Sequence, residues 1–85
     1  MSNNYIILDG VIRQGLDLMR QSNISREQFF AWVGISKNVL EQISKNPIFM
    51  TNYLSVVLAA SNPNLTANQG LSMCLRYLIE IQPVI

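Results

Sequence analysis

The sequence predicts an all-α domain, a compact bundle of five short helices with the second and third joined as a helix-turn-helix. Three observations predict it. Apolar residues recur at i, i+3 and i+4 through most of the chain, and no period-two alternation runs beyond a few residues. Cap-type residues stand directly before the periodic runs, at Ser25, Ser36 and Thr66. The central stretch, Arg26 to Lys45, reads as an amphipathic run, a glycine, a short turn, a serine and a second amphipathic run.

Taken in order, Asn3 and Asn4 can cap a first helix reaching about Gln21, with Leu8, Val11, Ile12, Leu16 and Met19 on its inner face. Gly10 and Gly15 each weaken it by about 1 kcal/mol relative to alanine, which close packing against another helix would explain. Asp9 and Arg13, one turn apart, are in the favourable order for a helical ion pair. Ser25 with Gln28 forms a capping-box signature for the second helix, and Gly34 is placed as its left-handed stop. Ser36 opens a third helix, Lys37 to about Lys45, and Asn46-Pro47 closes it. A fourth helix covers about Met50 to Ala60, capped by Thr51, with Tyr53, Leu54, Val57 and Leu58 inward. Thr66 opens a fifth, residues 67–82, with Leu71, Leu75, Leu78 and Ile79 on one stripe and Pro83 as its stop. Phe29, Val33, Ile35, Leu40 and Ile43 form the wedge expected between the second and third helices.

Composition bounds the function. Eighty-five residues make one domain, residues 1–85, with a single core and little margin. Apolar residues reach 49% and charged ones only 13%, so some apolar surface is expected to meet a partner, most simply a second copy. Net charge is +1, not the basic balance of a non-specific nucleic-acid binder. With no histidine and one cysteine, Cys74, the chain has no internal disulfide, Cys/His metal cluster or histidine triad, and no cofactor is implied. The scattered carboxylates and the lack of a phosphate loop argue against an enzyme. One thiol, no signal peptide and no apolar run long enough to span a bilayer lead to the expectation of a cytoplasmic protein without a membrane partner.

From about Val11 to Ile79 the chain resembles the lambda-repressor-like helix-turn-helix family, which includes phage repressors and Cro-type proteins. The resemblance rests on Leu18-Met19-Arg20, Ser25-Arg26-Glu27-Gln28-Phe29, Val33-Gly34-Ile35-Ser36, then Val39, Leu40 and Ile43, and Asn46-Pro47. It implies a sequence-specific, double-stranded-DNA-binding transcription regulator, a repressor acting as a homodimer, with the third helix in the major groove. The chain departs from the pattern at Phe30, where the family has alanine or glycine, at Trp32, and at Glu41 on the reading helix.

Under that reading Lys37, Asn38, Glu41 and Gln42 face base edges, Ser36 and Lys45 hold phosphate, and Arg26 lies along the DNA backbone. So few cations require a dimer for useful affinity. The fifth helix, apolar around most of its circumference, is the expected dimer element through Met73, Tyr77, Leu78 and Ile81. Arg76 and Glu80 are expected to pair with each other, and Trp32 either packs inside or anchors a protein partner. The alternative function is a protein-interaction module, an inhibitor or adaptor, that binds no DNA.

Overall fold

The computed structural model describes residues 3–85, and every regular element among them is helical. They are α1 (Asn3–Met19), α2 (Arg26–Ile43), α3 (Pro47–Ala60) and α4 (Ala67–Ile81), followed by a 3-10 turn over Gln82–Val84. The all-α expectation is met with four α-helices instead of five. The helix-turn-helix is the part that fails: α2 runs unbroken through Gly34, and no described residue has a positive φ.

The reason lies in which residues make the stripe. Phe29, Val33, Ser36, Leu40 and Ile43 are all buried, and their spacing of four, three, four, three is one face of a single continuous helix. Reading Ile35 as inward in place of Ser36 breaks that rhythm and creates an apparent turn. In the fold Ile35 points outward, 48% exposed, and Ser36 takes the core position. A mid-helix glycine costs about 1 kcal/mol but stops nothing unless the chain leaves helical φ/ψ.

Ser25 caps α2 with the full capping box to Gln28 and Thr66 opens α4, both as the sequence predicts, and the structure adds a second capping box between Thr66 and Gln69. Helix α3 starts earlier than expected. Asn46 is its N-cap and Pro47 its first residue, so Thr51 sits within the helix, not at its cap. Asn4 does not cap α1; its amide donates to the carbonyls of Ile43 and Ile85, fastening the start of α1 to the end of α2 and the C-terminal turn.

Leu8, Phe29, Leu40, Tyr53, Leu71 and Leu78 are fully enclosed where the four helices meet. The radius of gyration, 12.2 Å, matches the roughly 12 Å expected of one core of this length. Glycines make the closest crossings. A methyl group on Gly15 would lie 2.6 Å from the Leu75 side chain and 2.8 Å from the Trp32 ring, and one on Gly70 would lie 2.6 Å from the Ala60 carbonyl. Gly15 thus confirms the expected close packing, whereas Gly10 faces open space.

Candidate protein-docking surface

The residues expected to face DNA lie on α2 or just past its end, but they do not share one exposed face. Arg26 donates to the carbonyls of Leu65 (2.7 Å) and Pro63 (3.3 Å), clamping the loop between α3 and α4. Ser36 is fully enclosed, donating to the Val33 carbonyl at 2.7 Å and lying 2.6 Å from the Tyr53 hydroxyl. Asn38, Glu41, Gln42 and Lys45 lie exposed toward or just past the C-terminal end of α2, with Lys37 half-buried beside them. The other half of the same outer face is Phe30, Ala31, Gly34 and Ile35.

The residues expected at an interface divide differently. Trp32 is buried, and its indole N–H donates to the Val11 carbonyl at 3.0 Å through the space that Gly15 leaves open. Leu78 and Ile81 are core residues as well, so they offer no outward surface. Met73 and Tyr77 are half-buried, and the Tyr77 hydroxyl donates to the Phe49 carbonyl at 3.1 Å. Helix α4 is therefore amphipathic, with its broad apolar side spent on the chain's own core. Arg76 and Glu80 are exposed and make no ion pair with each other, contrary to expectation.

Apolar side chains left outside are spread over the molecule, with Ile6, Ile7 and Leu16 on α1, Phe30 and Ile35 on α2 and Ile79 on α4, and the most exposed of those within a helix is on α3. Its fourteen residues, PIFMTNYLSVVLAA, include no charge. Only one side of a helix can meet the core beneath it. Tyr53 and Ala60 fill that side, flanked by half-buried Phe49, Met50, Val56 and Val57. The other side turns Leu58 (77% exposed), Ile48 (53%) and Leu54 (45%) to solvent. Leu54 and Leu58 had been expected to face inward. They lie one turn apart on the outer side because Tyr53 takes the axis of the buried face, with Val57 at its flank and the two leucines beyond. The sequence carried a signal for this surface: a charge-free helix with apolar residues all round must hide both sides or leave one bare.

A groove of about 370 Å³ runs along one edge of α3, between Val56 and the α4 side chains Met73 and Tyr77, with Arg76 and Glu80 at its rim. A second, shallower apolar groove of about 420 Å³ separates α1 from α2, lined by Leu18, Trp32 and Ile35 with glutamine side chains above.

The chemistry available is that of contact. Cys74, the only thiol, is enclosed in the core, and burial pushes it up to about 11, so the thiolate is scarce near neutral pH. Tyr53 is likewise pushed up by burial. Among the described residues no cluster of three or more histidine, cysteine, aspartate or glutamate side chains is placed to hold a metal ion. No described helix is long and apolar enough to cross a membrane. No protein-family model, no curated protein and no solved structure matches the chain.

Proposed function

We propose that this chain is a small non-catalytic protein-interaction module that docks a protein partner through the outer face of α3. The observation that carries the reading is the charge-free α3 with Leu58 77% exposed, Leu54 one turn before it and Ile48 exposed at the helix start. Single exposed apolar side chains are ordinary, but three on one uncharged helix leave a patch of the kind that partner proteins cover. In such a contact the desolvated aliphatic side chains supply the energy and the threonine and serine hydroxyls between them stay wet.

The rival reading is the DNA-binding regulator. It is supported by Asn38, Glu41, Gln42 and Lys45, which share the outer side of α2 and carry the amide and charged groups that base edges accept. It loses two phosphate-facing groups, because Arg26 is bound to the loop carbonyls and Ser36 to Tyr53. Lys37 and Lys45 are then the cations left to that face, with Glu41 between them, and salt-sensitive phosphate binding scales with the number of cations.

Two measurements separate the readings. A photoreactive residue at position 58, in the cells that make the protein, is expected to cross-link to a protein identifiable by mass spectrometry, while the same probe at position 38 gives none. The purified partner should then lose binding to Leu58→Glu. Fluorescence anisotropy with a random duplex at low salt is expected to show no binding. A cross-link from position 38 to DNA, with position 58 silent, would sink the docking reading.

A further inference from the structure

We infer that the groove between α1 and α2 is a second docking surface, and that its occupant is an amphipathic helix of a partner protein with a basic residue beside its apolar stripe. The groove shares no residue with α3, so it goes beyond the docking reading above and gives the chain the two surfaces of an adaptor.

Shape comes first. Leu18, Trp32 and Ile35 floor a channel of about 420 Å³ between the two helices. Asn4 meets Ile43 and Trp32 reaches Val11, so α1 and α2 run antiparallel. A channel between two packed helices is a shape into which a third helix lays its apolar side chains.

A cost that the fold itself does not require points the same way. Gly10 and Gly34 lie within α1 and α2, where glycine weakens a helix relative to alanine. Gly15 and Gly70 answer that cost with close crossings inside the molecule, whereas a methyl group on Gly10 or Gly34 would meet nothing within 4 Å. Both are exposed and each stands one helical turn from a groove residue, Gly10 from Gln14 and Gly34 from Ala31. The antiparallel pairing brings them to about the same height on the two helices. Bare backbone on both banks lets another helix come close.

Charge selects the occupant. Asp17 is the one charged side chain lining the groove, with Gln14, Gln21 and Gln28 along the rest of the rim. It is 73% exposed, and its ion pair among the described residues is a 3.9 Å contact with Arg20, itself 84% exposed. A lysine or arginine at the partner's edge gains this carboxylate, and an acidic edge is repelled.

NMR titration of the full chain with a synthetic amphipathic helix of leucine and lysine, and with the same helix carrying glutamate for lysine, tests this. The lysine peptide is expected to shift Leu18, Ile35 and the Trp32 indole N–H, and the glutamate peptide to leave them in place. Asp17→Lys should weaken the lysine peptide on the order of tenfold, and Leu58→Glu should leave its affinity unchanged. Gly10→Ala and Gly34→Ala should each raise the melting temperature yet weaken the peptide on the order of tenfold, stability gained as binding is lost. Equal binding of the two peptides overturns the inference. So do shifts confined to α3, alanine variants that keep full affinity, or no shift at millimolar peptide. None of these outcomes bears on cross-linking from position 58, so the groove and the α3 face stand or fall separately.

Discussion

Ser36 and Tyr53 form a hydroxyl pair inside an otherwise apolar core, and the direction of its protons follows from counting. Ser36 has one proton, spent on the Val33 carbonyl. Tyr53 therefore donates to Ser36. Deleting the two hydroxyls should not cost the same. Ser36→Ala strands the Tyr53 proton without its acceptor and is expected to cost about 1–3 kcal/mol, whereas Tyr53→Phe removes the group that would be stranded and should cost nearer 1 kcal/mol. The double variant should fall well below the sum. Urea unfolding of the three variants checks this, and additive losses would show that the hydroxyls do not act together. The same burial gives stability an alkaline limit. The folded chain holds the Cys74 proton more tightly than the unfolded one, so stability is full below the thiol's ordinary 9.0 and declines as pH rises toward about 11. Urea midpoints at neutral and strongly alkaline pH should show that fall, and Cys74→Ala should reduce it.

At the scale of the helix, three glycines separate backbone cost from packing need. Gly34 lies within α2, and a methyl group there meets nothing within 4 Å. Gly34→Ala is expected to stabilise the chain by about 1 kcal/mol, the reverse of what a left-handed turn would require. Gly10→Ala should behave the same way, its site being equally open. Gly15→Ala should cost about 1–3 kcal/mol, because the added carbon collides with Leu75 and Trp32 at the α1–α2–α4 crossing. Thermal melts of the three alanine variants decide the matter, and a loss at Gly34 equal to that at Gly15 would restore the turn and refute the continuous helix. Trp32→Ala belongs with Gly15: it empties the same crossing, and about 3–5 kcal/mol should be lost.

For the molecule as a whole, small size and low charge have one consequence. A domain of 85 residues leaves much of its surface exposed, and this one has too few charged residues to cover that surface. Part of the bare apolar surface that results lies on α3, and docking through it should couple to stability. The partner that position 58 captures is expected to raise the melting temperature of the wild type and to leave that of Leu58→Glu unchanged, since only a bound partner adds a mass-action term. Scanning calorimetry with and without that partner is the check, and equal behaviour of the two chains would count against docking through α3. Replacing Leu58 should leave the monomer's own stability nearly unchanged, because a side chain 77% exposed contributes little to the core.

Local chemistry was enough, from the sequence alone, for the helical class, the capping box at Ser25, the helix start at Thr66, the Asp9–Arg13 pair (2.6 Å apart) and most of the inward residues of α1 and α4. Each depends on residues within about one turn of one another, whose geometry the helix itself supplies. The charge-free character of α3 is equally legible in the sequence, whereas the apolar circumference of α4, which points to a bare surface there, is taken up by the chain's own core. What the tertiary structure decided were the positions where a distant partner reverses a side chain's usual preference. Ser36 is inside because Tyr53, seventeen residues on, meets its hydroxyl, and that single placement turns an apparent helix-turn-helix into one helix. Trp32 is inside because Gly15 leaves space for its ring and Val11 accepts its N–H. Leu58 is outside because α3 has neighbours on one side only. Polarity sets which side a residue favours when nothing else competes, and a hydrogen-bond partner or a missing neighbour across the core outweighs it.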